Sequence, residues 1–388
     1  MKFIDLQSQQ AKIQEKIQDN FSRVMDHGQY VNGPEVGQLE EKLALYCGVK
    51  HAVACSSGTD ALLMALMSCG VGPGDAIFTT PFAENAVVSI IKVLGATPVF
   101  VDIDPFTFNI DPEQLVKAVE AVVKGDSSLY PLPGDGSAAH LVPKGILSVD
   151  LFGLPADYDA VCAIAGKHGL FVIEVGTEAF GGVYKGRRTC SLADIGCAAF
   201  PPEAPFGAYG NGGMCFTDDD RCAGLIRSIG MHGREKGGDD HVRAGIDGRM
   251  NSLQAAMLLA KFEIFPEEIA LRQDIAGRYT QFLDENPLLV TPYVPDGVTS
   301  AWFRYSLLTE SEEDRLKMLK KLKEAEIPAE IHYAGPLYLQ PAFADLQYRD
   351  GDFPVSNDYA TRIFSVPMHP YLTSKEQEEI AYVLNDWE

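Results

Sequence analysis

Long apolar runs are missing from this 388-residue chain, and none approaches the ~20 residues a membrane-crossing helix needs. That excludes a helical span. Metal and disulfide patterns are missing as well: the eight cysteines lie scattered from Cys47 to Cys222 without a CxxC pair, and the eight histidines show no ligand spacing. The cysteines therefore read as small apolar side chains in a reducing compartment, and no metal is expected. Basic residues are scarce, 32 Lys and Arg against 54 Asp and Glu, for a formal net charge of −22. Such a surface repels a phosphate backbone, which excludes nucleic acid as a partner while leaving room for a local pocket that takes a small anion. Internal repeats and low-complexity tails are absent. The opening Met1-Lys2-Phe3-Ile4-Asp5-Leu6 runs into Gln-rich sequence unlike a signal peptide, so a cytoplasmic protein is expected.

What is present is a composition able to bury a large core, with 46% hydrophobic and 22% charged residues. From residue 51 to about residue 230, β-rich runs alternate with helical ones. Strands are expected at His51–Cys55, Ala76–Thr79, Pro98–Asp102, Gly145–Asp150, Leu170–Glu174, Ile195–Phe200 and Gly213–Phe216. Helices are expected at Asp60–Ser68, Glu84–Leu94, Pro112–Val123 and Ala156–His168. This alternation predicts an α/β fold with a mostly parallel sheet covered on both faces. Residues 125–141 read as a surface loop. A long helix over Ser252–Ala276, bending near Pro266, leads into a smaller domain with a strand at Trp302–Leu308 and a helix at Glu312–Ala325. Ser374-Lys375-Glu376-Gln377 has the form of a capping box for the last helix.

Ordered motifs run through nearly the whole chain. They include Phe3-Ile4-Asp5-Leu6, Val31-Asn32-Gly33-Pro34-Glu35-Val36, Ser57-Gly58-Thr59-Asp60-Ala61-Leu62 and Phe152-Gly153-Leu154-Pro155-Ala156-Asp157. Tyr184-Lys185-Gly186-Arg187-Arg188, Arg249-Met250-Asn251-Ser252-Leu253-Gln254 and Gly335-Pro336-Leu337-Tyr338 follow, and Ser365-Val366-Pro367-Met368-His369-Pro370 closes the series. In this order they resemble the DegT/DnrJ/EryC1/StrS nucleotide-sugar aminotransferases, nearest to those aminating UDP-linked 3-keto sugar acids. The resemblance implies an aspartate-aminotransferase-like fold of type I, with a large domain at 1–265 and a small α+β domain at 266–388. It also implies a homodimer with shared sites, a nucleotide-sugar ligand and pyridoxal phosphate as the family cofactor.

Transamination asks the protein for a Schiff-base lysine, an acid on the pyridine nitrogen, an aromatic ring over the cofactor and a phosphate cradle. Ser57, Gly58 and Thr59, at a strand-to-helix junction, match the cradle, although the same residues would also serve a plain turn and helix cap. The other positions do not match. In Ala199-Phe200-Pro201-Pro202-Glu203-Ala204-Pro205-Phe206-Gly207, Ala204 stands at the lysine position and Ala199 at that of a phosphate-supporting serine. Val175 replaces the ring-nitrogen acid, Glu178 a glutamine, Glu84 the stacking aromatic, and Asp247 an asparagine given by the neighbouring subunit in the family. Asp150 stands where relatives carry Ser or His.

Loss of several groups together points to a rebuilt site, so no cofactor is expected, and pyridoxal phosphate enters by family analogy alone. Lys144, Lys185 and Lys236 are the surrogate amines to check. Glu84, Asp150, Glu178 and Asp247 are the candidate acids, expected to face the vacated cavity or, alternatively, solvent and local arginines. Arg243, Arg249, His332 and Tyr333, with Arg188 as a further candidate, are expected on the substrate side, the arginines offering bidentate bonds to a diphosphate. Three functions follow from this pattern. The chain binds a nucleotide sugar without ordinary transamination; or it transaminates through a displaced lysine; or it is a pseudoenzyme that regulates an active paralogue.

Overall fold

The computed structural model describes residues 1–134, 136, 140–235 and 237–386. The Asp5 carboxylate caps the first helix, α1 (Leu6–His27), by accepting the Ser8 amide at 3.1 Å. On this helix Gln9, Ile13, Ile17, Asn20 and Val24 recur at spacings of three or four and are its buried face. α2 (Pro34–Cys47) follows, and then the alternation begins: β1 (His51–Cys55), α3 (Gly58–Ser68), β2 (Asp75–Thr79), α4 (Asn85–Val93), β3 (Thr97–Phe100), α5 (Pro112–Lys124), β4 (Val142–Val149), α6 (Tyr158–His168) and β5 (Phe171–Val175). A short hairpin of β6 (Val183–Tyr184) and β7 (Arg187–Arg188) precedes β8 (Ile195–Ala199), β9 (Gly213–Thr217) and α7 (Asp220–Ile229).

The large sheet has seven strands in the order β1-β9-β8-β5-β4-β2-β3. β9 pairs antiparallel with both β1 and β8, whereas the pairs β8–β5, β5–β4, β4–β2 and β2–β3 are parallel. The period of two along each strand divides the core. Val53, Cys55, Cys197 and Cys215 join one buried cluster; Ala52, Ala54, Ala198, Met214 and Phe216 join another on the opposite face. This is the expected α/β fold with a mostly parallel, mixed sheet.

Beyond the sheet come α8 (Ser252–Phe262), α9 (Phe265–Leu283), β10 (Leu289–Val290), β11 (Val298–Thr299), β12 (Tyr305–Thr309), α10 (Glu312–Glu324), α11 (Pro354–Arg362), β13 (Ile363–Val366) and α12 (Ser374–Asn385). β10, β12 and β13 form a small antiparallel sheet, and β11 joins the β6–β7 hairpin. The single helix expected over Ser252–Ala276 is two, because the chain breaks at Glu263-Ile264 and Pro266 then opens α9 in the first turn, where its missing N–H costs nothing. The strand expected from Trp302 begins only at Tyr305, since Trp302 has a left-handed backbone (φ 50°). The final capping box lies one residue earlier than expected, on Thr373 and Glu376. Part of the 125–141 loop, and Lys236, fall outside the described residues.

Candidate functional site

A cavity of about 230 Å³ opens beyond the carboxyl ends of the parallel strands, where ligands of open α/β sheets bind. Its walls are the Ser57-Gly58-Thr59 turn into α3, Glu84 at the head of α4, Val175 and Thr177 after β5, and Ala199, Pro201 and Glu203 after β8. Asn211 and Gly212 close one side. No Lys, Arg or His is found among its described lining residues.

Each wall has a local cause. Ser57 is the N-cap of α3 and accepts the Asp60 amide at 3.1 Å, leaving the first helical residues at the cavity edge. Gly58 is required by a close approach: a Cβ there would stand 2.2 Å from the Ala199 methyl. Thr177 fixes the end of β8 by accepting the Ala199 amide at 2.8 Å. The loop after β8 folds back on itself, with the Phe200 amide donating to Gly212 at 2.8 Å and the Ala208 amide to Phe200 at 2.9 Å. Gly207 permits that fold, because a Cβ there would meet the Pro201 carbonyl at 2.1 Å. Within the loop the Ala204 methyl is buried, its amide donating to Pro201 at 3.0 Å, and the neighbouring Glu203 reaches the cavity.

The four candidate acids divide. Glu84 lines the cavity; as N-cap of α4 it makes no capping bond, and its concave setting together with Glu203 raises its carboxyl above the ordinary range, opposed by Arg304. Glu178 lies behind it, fully enclosed, accepting the Phe152 amide at 2.5 Å and the Tyr333 hydroxyl at 3.4 Å. Burial first, and then Glu84, push the Glu178 carboxyl up to about 8. The expectation that Asp150 faces this cavity is corrected by the structure. Asp247 lies on the surface in a bidentate pair with Arg249, at 2.7 and 2.9 Å.

Asp150 is turned away by strand geometry. Val149 is in register with Val175 and Ser148 with Glu174, so Val175 faces the cavity and Glu174 the opposite side of the sheet. Asp150 follows Glu174 to that side. Its Oδ1 accepts the Ala156 amide at 3.0 Å and the Tyr158 hydroxyl at 2.8 Å, while Oδ2 has no hydrogen-bond partner among the described residues. Glu174 accepts the amides of Cys190 and of Leu192, the latter at 2.9 Å. Burial and then Glu174 raise the Asp150 carboxyl, and burial raises that of Glu174, so the pair resists full ionisation. Asp150→Asn keeps a donor toward Glu174 and an acceptor for Ala156 and Tyr158. It is expected to change stability by less than ~1 kcal/mol, whereas Asp150→Ala leaves buried donors unpaired and is expected to lose ~2 kcal/mol or more in urea denaturation.

The substrate-side candidates are likewise separated. Arg249 borders a different cavity, of about 390 Å³, with Asn32, Gly33 and Met231, and its guanidinium is engaged by Asp247. Arg243 is exposed and donates to Ser228. Arg188 is structural: it lies 4.1 Å over the Tyr46 ring and donates to its hydroxyl at 3.0 Å. The His332-Tyr333 segment reaches Glu178 without lining the first cavity. Tyr333 packs edge-on against Phe82 at 5.7 Å and reaches Glu178. Burial and Arg304 lower the His332 imidazole to about 4, so its 3.6 Å approach to Glu330 is a contact of a neutral ring. Arg304 itself pairs with Glu330 at 3.1 Å.

Sequence reading missed Glu203, Thr177 and Arg304. Glu203 adjoins the vacated lysine position and could have been found there; Arg304 is brought in from over 100 residues away, with no local signal. Two of the three surrogate amines fail on position. Lys185 pairs with the Asp159 carboxylate on an exposed hairpin, and Lys144 lies five residues before the carboxyl end of β4, roughly 16 Å down the strand. Lys236 is outside the described residues.

The residues present do not fit pyridoxal phosphate. A helix N-terminus is retained, but no amine lines the cavity, Val175 cannot hold a proton on a ring nitrogen, and Glu84 and Glu203 would confront the phosphate charge.

Comparison with known proteins places these differences in context. The model of the DegT/DnrJ/EryC1/StrS aminotransferase family matches residues 11–385. Over 386 residues the chain is 41% identical to the UDP-2-acetamido-2-deoxy-3-oxo-D-glucuronate aminotransferase of Pseudomonas aeruginosa, covering 100% of both proteins. It is 32% identical to the spore coat polysaccharide biosynthesis protein SpsC of Bacillus subtilis, over 96% of this chain and 94% of that protein. The crystal structure of a DegT DnrJ EryC1 StrS aminotransferase from Brucella abortus superposes with a TM-score of 0.92 at 40% identity, covering 99% of this chain and 98% of that one.

Proposed function

The chain belongs to the DegT/DnrJ/EryC1/StrS aminotransferase family, and from that premise we propose that it binds a nucleotide sugar without catalysing ordinary pyridoxal-phosphate transamination. The family works in nucleotide-sugar and polysaccharide biosynthesis. The relative from Pseudomonas aeruginosa supports a UDP-linked 3-keto sugar acid as the ligand class.

One observation carries the second half of the reading: a cavity persists at the carboxyl ends of the strands, and no amine stands on its described walls. Ala204 offers a buried methyl where the transferred proton would need a base. What remains can recognise hydroxyls. Glu84, Glu203, Thr59 and Asn211 line the cavity and between them can accept and donate hydrogen bonds.

The test uses the purified full chain with a panel of UDP-sugars. A UDP-linked 3-keto sugar acid is expected to raise the melting temperature, since a ligand that binds only the folded state stabilises it by mass action. With an amino-acid donor and added cofactor, no amino sugar is expected by mass spectrometry. Multiple turnovers of amino sugar would sink the proposal and favour a displaced lysine; an unchanged melting temperature across the panel would remove the nucleotide sugar.

A further inference from the structure

We infer that this cavity has given up the phosphorylated pyridine entirely, in its aldehyde and its amine form alike, and not merely the covalent bond to it. The inference takes from the proposed function only the location of the cavity and goes beyond it. A missing amine abolishes the internal Schiff base, yet a pocket with an intact ring partner and phosphate cradle would still hold either form non-covalently.

Here the pocket has changed at both ends of the ligand. At the ring end Val175 lines the wall, an apolar side chain where the pyridine nitrogen needs an acid to remain protonated. At the phosphate end two of the three hydroxyls beside α3 are already used, which leaves the Thr59 hydroxyl on the cavity wall. Ser56 and Ser57 both donate to the Asp60 carboxylate, Ser57 at 3.0 Å. The other flank is the Ala199 methyl, packed so closely on Gly58 that a Cβ on that glycine would stand 2.2 Å from it. A methyl offers no hydrogen bond, so the first turn of α3 keeps its backbone dipole and the Thr59 hydroxyl, and has no hydroxyl facing it from the Ala199 flank.

Charge acts in the same direction. Glu84 and Glu203 both line the cavity, each within electrostatic reach of the other, with Glu178 behind Glu84. No cation is among the described lining residues, and Arg304, the nearby positive group, is already paired with Glu330. A phosphate ester entering this space meets carboxylates on its open side. Both cofactor forms carry that phosphate and that ring, so both are excluded by the same walls.

The experiment is a calorimetric titration of the full chain with pyridoxal phosphate and, separately, with pyridoxamine phosphate, with a visible spectrum of the first mixture. No saturable heat and no aldimine band are expected. Stoichiometric binding of either form overturns the inference. The variant Glu84→Gln, Val175→Asp, Ala199→Ser, Glu203→Gln, checked for a native melting transition, is expected to gain pyridoxamine phosphate affinity by ~10-fold or more, equivalent to about 1.4 kcal/mol. If that variant does not fold, the exposed Glu203→Gln is measured alone and a gain in the same direction is expected. A folded variant without any gain overturns the assignment to these residues. The UDP-sugar melting assay on the same preparation reads separately: its failure removes the nucleotide sugar and leaves this titration standing.

Discussion

Replacing Phe206 by alanine is expected to cost about 3–5 kcal/mol of unfolding free energy, the range for deleting a fully enclosed phenyl ring. Phe206 is 1% exposed. Its ring stacks on Phe180 at 5.4 Å and meets Phe200 edge-on at 5.5 Å, with Phe265 at 5.0 Å and Phe262 at 6.1 Å. This aromatic cluster fastens the Phe200–Gly212 loop to α8 and α9, and thereby holds Glu203 and Pro201 at the cavity wall. Urea denaturation measures the loss, and Phe206→Leu, which conserves most of the volume, is expected to lose less than half as much. A Phe206→Ala cost below ~1 kcal/mol would show that the loop is not fastened by this ring. Because the ring also positions the wall, the same variant should weaken ligand binding in the melting assay while Phe206→Leu largely retains it.

The second large effect is on pH dependence and comes from Glu178. Its carboxyl ionises near 4.5 when unfolded and near 8 in the folded protein, where burial and Glu84 oppose the charge. Between these values the native state binds more protons than the unfolded state, so stability falls as pH rises from about 4.5 to about 8. Glu178→Gln removes that dependence, because the amide keeps an acceptor for the Phe152 amide and never ionises. Relative to the native protein, the variant is expected to be nearly neutral at the acid end of this window. At its alkaline end it should be more stable by on the order of 3 kcal/mol. Chemical denaturation at several pH values reads the difference directly. Parallel stability curves for the two proteins would contradict an enclosed, protonated Glu178. Titration of Glu84 follows in the same sense, since burial and Glu203 raise its carboxyl.

Much of this molecule was legible before any coordinates. The β1 and β4 runs, the helix that begins after Ser57 and the helix at Glu312 announced themselves through local periodicity, turn residues and caps, which act over a few residues. The small errors are also local. Pro266 begins a new helix where a bend was expected, and the capping box sits on Thr373 where Ser374 has equal chemistry. The site was less legible. Asp150 and Glu84 look alike as replacements of family residues, yet one lies under the sheet with Glu174 and the other at the cavity mouth. Asp247 looked like a third acid of the same group and pairs with Arg249 two residues on. Arg304, which opposes the acids around the cavity, lies just before β12 and has no sequence neighbour in the site.

By itself, the sequence determined that this is an α/β member of a sugar-aminotransferase family, and the order of its motifs proposes Ala204 and Val175 for the positions of a reactive amine and a ring-nitrogen acid. Both conclusions depend on residue identity in order along the chain, which needs no third dimension. Only the tertiary structure decided which of the remaining polar groups meet. The period-two alternation of β5 sends Val175 and Glu174 to opposite faces, and the folded-back loop after β8 delivers Glu203 and withholds Ala204. Packing over long sequence separations then sets Tyr333 and Arg304 beside Glu178. Convergence of that kind is a property of chain path and burial, and no pattern along the sequence encodes it locally.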